Sequence, residues 1–292
     1  MVGPTAAGKT EMSIRLAERL GGEVISVDSM QVYRGMDIGT AKPTMLERRG
    51  IPHHMIDVVD PSEDFTVAEF RRMGREVLAG TASPAVIITG GSGLHFRALV
   101  DPMTFAPTDP TLRSDLEARE DTDLVDKLLA VDPEAPSHVD MSNPRRVVRA
   151  VEIYELTGET PTRRAATALA DDVRRYVPEI GFTAVGIDPG SDLDGRVEAR
   201  LDHMRRGGLV DEVRRIGPLL GRTARGAVGY REILEALSGR IEMDDAFATI
   251  SSRTKRLARK QRTWFQRDPR IRWIPWIADP EQRARRVLEV LS

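Results

Sequence analysis

Gly3-Pro4-Thr5-Ala6-Ala7-Gly8-Lys9-Thr10 satisfies every fixed place of the pattern G-x-x-x-x-G-K-[ST]. Its glycines let the loop wrap so that backbone N–H groups converge on phosphate oxygens. Lys9 adds a mobile positive charge, and the Thr10 hydroxyl is of the kind that ligates Mg²⁺. A helix starting at Lys9 would add its positive end. The loop therefore predicts a bound di- or triphosphate together with Mg²⁺, without saying which phosphate or what becomes of it.

A second chemical group follows. Val24-Ile25-Ser26-Val27 reads as a strand that ends at Asp28-Ser29. Ligands of open α/β sheets sit beyond the C-terminal ends of strands, so Asp28 is expected in the same crevice as the loop. Its role stays open between Mg²⁺ ligand, general base and simple turn or helix cap. Val86–Thr89 is a further strand, followed by Gly90-Gly91-Ser92-Gly93. A nucleotide-hydrolysing motor would place an acid there, and this chain places small residues. His53 and His54 lack a second ligand pair nearby, so their imidazoles are expected to be hydrogen-bonded at a strand entry.

These groups need a scaffold. Further strands are expected at Thr183–Ile187 and Ile271–Ile274, and helices at Lys9–Leu20, Thr66–Ala79, Thr122–Ala130, Arg145–Thr157 and Ser251–Arg267. Strands alternating with helices predict an α/β fold, a parallel sheet with helices on both faces. The strandless, charged middle of the chain predicts a helical insertion at 111–175, with the core formed by 1–110 and 176–292. Only Met1 and Val2 precede Gly3, where a buried strand normally leads into such a loop. The reading is of a chain whose start is shortened or misassigned.

With 292 residues, 40% of them apolar, the chain can bury a real core. It has no cysteine, which excludes disulfides, Cys-ligated zinc and a thiol nucleophile. No apolar run approaches membrane-span length and the N-terminus does not read as a signal peptide, so a cytoplasmic protein, off the membrane, is expected. The net charge of −2 hides a concentration of nine Lys or Arg against Asp268 alone between Arg253 and Arg272. Arg253, Arg256, Lys260 and Arg267 fall on one face of the expected helix, and Arg145, Arg146 and Arg149 form a second cluster. Such stripes suit a polyanion backbone, although most charge runs are merely solvated. Leu257, Gln261, Trp264 and Phe265 lie near the other face, and the aromatics among them are expected to be core.

The long block Asp28-Ser29-Met30-Gln31-Val32-Tyr33-Arg34-Gly35-Met36-Asp37-Ile38-Gly39-Thr40-Ala41-Lys42-Pro43, together with Gly3–Thr10 and Pro52-His53-His54-Met55-Ile56-Asp57, resembles the bacterial tRNA dimethylallyltransferases, also called tRNA isopentenyltransferases. The likeness continues through Thr89–His95, Asn143–Ala150, Gly208–Val213, Ala227–Arg231 and Arg259–Phe265, nearly the whole chain. It implies a P-loop kinase-like sheet with a helical insertion domain. It also implies a monomer that uses Mg²⁺ to move the dimethylallyl group of dimethylallyl diphosphate to the exocyclic amine of adenosine 37, in the anticodon stem-loop of tRNAs reading codons that begin with U. By the same resemblance Gly3, Pro4, Thr5, Ala6, Ala7, Gly8, Lys9 and Thr10 hold the diphosphate, Thr10 ligates the metal and Asp28 is the general base. Asp28, Ser29, Met30, Gln31, Ser92, Arg113, Arg145, Arg146, Val147, Val148 and Arg149 fall at tRNA-touching positions. The residues themselves add Arg253, Arg256 and Lys260 as phosphate contacts.

Two substitutions depart mildly from the family pattern: Ser92 stands for Thr and His95 for Tyr. Gly226 stands where an arginine or glutamine is expected, with Arg225 one place earlier, so no diphosphate-binding arginine is assigned there. A P-loop kinase of a small metabolite explains the loop but leaves the basic helix without a purpose.

Overall fold

Val2 is the point at which the sheet is joined. The computed structural model describes residues 1–291. Strands β1 (Glu23–Ser26), β2 (His53–His54) and β3 (Val86–Thr89) form one parallel sheet in the order β2-β1-β3. β4 (Ala184–Asp188) and β5 (Ile271–Pro275) form a second parallel pair. Val2 bridges Gly90 on one side and Gly186 on the other, and its N–H donates to the Val185 carbonyl at 3.0 Å. Two residues thus do the pairing of the central strand, and Val2 is fully buried.

Alternation along the strands sends successive side chains to opposite faces. Val24, Ile87, Val185, Ile187 and Ile274 point into a core roofed by the Lys9–Leu20 and Pro280–Leu291 helices. Ile25, Val27, Ala184 and Ile271 point into the larger core, with Phe70 of the Val67–Gly80 helix, Leu99 of Gly93–Val100 and Phe265 of the long Met243–Gln266 helix. The sheet is therefore covered on both faces, as the alternating pattern predicts. Thr66 opens its helix with a reciprocal capping box to Glu69.

The chain divides into two compact units, Met1–Val100 with Gly181–Ser292, and Asp101–Ile180. The second is wider than the 111–175 read from the sequence. It is helical, with Pro110–Glu117, Asp121–Val131 and Pro144–Thr157 packed around Leu116, Leu124, Leu128, Val147 and Val151. No helix among the described residues is long and apolar enough to cross a membrane.

Candidate functional site

The loop before the Lys9–Leu20 helix has the backbone that phosphate binding requires. Gly3 has φ 137°, and a Cβ there would lie 2.9 Å from the Ile187 carbonyl oxygen. Gly8 has φ 76° and leads directly into the helix, with Lys9 as its first residue. The Lys9 ammonium donates to the Pro4 carbonyl at 2.6 Å. Burial first, then the neighbouring Arg200, pulls its pKa down to about 7, partly opposed by Asp28. An anion arriving there would restore the lysine's charge, which is how a desolvated cation becomes a phosphate receptor.

Asp28 lies on the same crevice as Lys9. Thr5, Lys9, Thr10, Asp28, Gln31 and Arg200 all line one polar cavity of about 60 Å³. The Oδ1 of Asp28 accepts from the Met30 N–H at 2.9 Å and the Gln31 N–H at 3.4 Å. The capping role and a chemical role are thus compatible: the turn fixes the carboxylate while Oδ2 carries no protein hydrogen bond. Gln31 braces the surroundings, accepting from the Ser26 hydroxyl at 2.9 Å and donating to the Thr40 and Ala41 carbonyls at 3.2 and 3.3 Å.

A second cavity, about 120 Å³, shares Thr5, Asp28, Thr40, Arg200 and Gln261 with the first and is lined largely by apolar side chains such as Val197, Leu201, Met204, Val228 and Ile250. Polar cradle and apolar recess therefore meet at Asp28 and Arg200. The loop that carries Gly39 into the recess and Thr40 into both cavities is held by one buried carboxylate. Glu212 accepts from the N–H groups of Asp37, Ile38 and Gly39 at 2.7–3.0 Å and from the Tyr230 hydroxyl at 2.6 Å.

Three of these residues escape sequence reading. Arg200, on the Leu193–Arg206 helix, presents a guanidinium to the crevice without a protein ion-pair partner, and Asp28 is its main charged neighbour. A guanidinium thus reaches the crevice from this helix, whereas Arg225 is exposed and lines neither cavity. Gln261 lies inside a quoted motif, but no role for it is visible in the sequence. It reaches the P-loop, accepting from the Thr5 N–H at 2.8 Å. Glu212 lies in the Gly208–Val213 block, and nothing local marks its role. Arg196 and Arg283, stacked on Trp276 at 3.8 and 5.2 Å, add positive charge behind the loop, where Arg196 also donates to the Ala6 carbonyl.

The expected RNA contacts separate into distinct groups. On the long helix Arg253 is ion-paired with the buried Glu232, Arg259 with Asp194 and Arg262 with Asp188. Arg256, Lys260 and Arg267 are exposed and make no ion pair, on one face of the helix. Leu257 is 40% exposed and borders the apolar recess, whereas Phe265, expected in the core, is fully buried. In the helical unit Arg113, Arg145, Arg146, Arg149, Arg164 and Arg174 line a groove of about 930 Å³. Val147 and Val148 point the other way, into that unit's core, so their side chains do not offer RNA contacts. Arg149 is committed to the buried Glu152 and the Ala106 and Pro107 carbonyls.

Ser92 turns inward: its hydroxyl is 2.7 Å from His95 Nδ1. Burial drives the His95 pKa from 6.5 down to about 4, although Asp28 opposes the shift. A histidine lowered in the folded state is charged first in the unfolded chain. Stability should therefore fall as pH drops from 6.5 toward about 4, by on the order of 3 kcal/mol over that window. His95→Phe should flatten this dependence in urea melts. A wild-type slope that survives in the variant would show that other groups cause it.

A glycine-rich loop at the end of a parallel sheet, with a carboxylate and an apolar recess opening beside it, suits an enzyme of group transfer. The model of the IPP transferase family matches residues 31–268, and the chain belongs to that family. It is 45% identical over 286 residues to a tRNA dimethylallyltransferase of Bifidobacterium longum, covering 94% of this chain and 85% of that one. It superposes with a TM-score of 0.70 on a full-length tRNA isopentenylpyrophosphate transferase of Bacillus halodurans, 34% identical, covering 99% and 95% of the two chains. A eukaryotic dimethylallyltransferase solved acting on tRNA shares the fold at a TM-score of 0.77 and 24% identity, covering 97% of this chain and 76% of that one.

Proposed function

We propose that this protein transfers the dimethylallyl group of dimethylallyl diphosphate to the N6 amine of adenosine 37 in tRNAs that read codons beginning with U. It acts as a cytoplasmic monomer, and diphosphate leaves. The observation that carries the reading is the meeting of an anion cradle and an apolar recess at one free carboxylate oxygen of Asp28.

The roles follow from charge. Backbone N–H groups of Ala6–Thr10, Lys9 and Arg200 face the leaving oxygens, on which negative charge grows as the allylic C–O bond lengthens, so they favour the transition state over the ground state. The adenine amine is a weak nucleophile because its lone pair is delocalised into the ring. It must lose a proton as it attacks, and Asp28 takes that proton at Oδ2. The recess of Val197, Leu201, Met204 and Ile250 shelters the allyl group from water, which would otherwise capture it. Mg²⁺ fits beside Thr10 as an ion that keeps most of its waters. When bound it neutralises the diphosphate. The target base lies in a loop, where unstacking costs only a few kcal/mol.

Incubation with labelled dimethylallyl diphosphate and unmodified tRNA should put label into RNA at one adenosine. Label that stays out of RNA while a small molecule is phosphorylated from ATP would favour a kinase instead. Arg256, Lys260 and Arg267 are the cations of the long helix free to meet tRNA phosphates. Replacing all three with Ala should weaken binding and lower the slope of log affinity against log salt by about 0.7–0.9 per lost contact. Arg253→Ala should leave that slope unchanged, because its charge is already matched by Glu232. An equal drop in both variants would overturn this division.

A further inference from the structure

The crevice beside Lys9 and Thr10 has a polar wall that the transfer itself does not use. Thr89, at the end of β3, and His53, in β2, both line it. Thr89 is 8% exposed, and its Oγ1 has no hydrogen-bond partner; the same is true of the buried Nε2 of His53. The His53 ring is held in one tautomer. Its Nδ1 lies 2.8 Å from the Ile51 carbonyl oxygen, which can only accept, so Nδ1 carries the proton and Nε2 offers a lone pair. Burial lowers the pKa of this ring, which favours the neutral form.

A buried polar atom left without a partner costs about 1–3 kcal/mol. Two of them lining one polar space call for a species that donates hydrogen bonds. Thr10 and Asp28 line the same space, and the phosphate cradle opens into it. Mg²⁺ dehydrates reluctantly and brings its own donors, the coordinated waters. In nucleotide hydrolases with this loop, an acidic residue helps the loop hydroxyl hold the ion. Here β3 ends at Thr89, followed by Gly90-Gly91, and among the described residues no group of three or more His, Asp or Glu is placed to hold a metal.

We infer that His53 and Thr89 are outer-sphere acceptors for Mg²⁺ at Thr10, receiving hydrogen bonds from its coordinated waters at Nε2 and Oγ1. This rests on the reading of the cradle as a diphosphate site. It gives the paired histidines separate tasks: His54 is spent on Glu23, at 2.7 Å, and His53 faces the ion's hydration shell.

Mn²⁺ can stand in for Mg²⁺, with free ion followed by electron paramagnetic resonance in the presence of inorganic diphosphate and without tRNA or prenyl donor. His53→Ala and Thr89→Val should each weaken Mn²⁺ binding by about tenfold or more. His53→Gln, which offers an amide oxygen near the position of Nε2, should recover much of it. Affinity for diphosphate without metal should stay at the wild-type value. Thr89→Val keeps the volume of the side chain, so the readout survives even if His53→Ala does not fold. Unchanged Mn²⁺ affinity in folded His53→Ala or in Thr89→Val would overturn the inference and leave prenyl transfer standing. A wild-type protein that binds Mn²⁺ with diphosphate in this way but moves no prenyl group would do the reverse.

Discussion

Asp28→Asn should lower turnover about 10²–10⁴-fold while leaving tRNA affinity within a few fold of wild type. The choice of Asn matters. Its side-chain oxygen can still accept from the Met30 and Gln31 N–H groups, which Asp28 holds at 2.9 and 3.4 Å, so the turn survives. What disappears is the basic oxygen that faces the two cavities. Asp28→Ala would remove turn and base together and could not separate them. Single-turnover transfer at saturating tRNA reports the chemistry, and fluorescence anisotropy with an anticodon stem-loop reports binding. Near-normal turnover in Asp28→Asn would remove Asp28 as the base. A collapse of tRNA affinity with normal single-turnover rate would recast it as a recognition residue.

Much of this site is legible in the sequence because the signals are local. The Lys9–Leu20 helix is bounded by the loop motif and by Gly21, which closes it in a left-handed conformation at φ 61°. β3 and the ends of β1, β4 and β5 follow from β-branched runs within about a residue, the usual slack in such boundaries. The long helix is less well read. It starts at Met243 and not near Ser251, because the basic run draws attention away from Asp244 and Asp245 in its first turn. The residues that escape reading act across the chain. Arg200 meets Lys9 and Asp28 only because the Leu193–Arg206 helix packs against the Met243–Gln266 helix beside the loop, and Gln261 meets Thr5 from 256 positions away. No periodicity or spacing carries such a pairing. Charge count misleads in the same way: Arg149 and Arg253 look like the free Arg145 and Arg256 in sequence, and only the fold shows them matched by Glu152 and Glu232.

Glu212→Gln should destabilise the fold by about 3–5 kcal/mol, on the order of 10 °C in Tm for a unit of this size. Both carboxylate oxygens of Glu212 work as acceptors only. Oε2 takes the Asp37 and Ile38 amides, and Oε1 takes the Gly39 amide and the Tyr230 hydroxyl. An amide side chain must turn its NH₂ toward two of these donors, so buried N–H groups lose their partner and meet another donor. Tyr230 stays protonated as a donor, since burial and the Glu212 charge push its pKa well above the usual phenol range. The loop has no slack to compensate. A Cβ on Gly39 would sit 2.6 Å from the Tyr230 ring, so the loop backbone lies directly against that side chain. Tyr230→Phe removes one of the four hydrogen bonds and should cost only about 1–2 kcal/mol. Below its melting range, Glu212→Gln should also lose kcat/KM, because Gly39 and Thr40 border the apolar recess in which the allyl group is sheltered. Tyr230→Phe should keep most of it. A Glu212→Gln protein no less stable than Tyr230→Phe in urea titration would show that the three amides find other partners, and that the loop is held by its packing and not by this carboxylate.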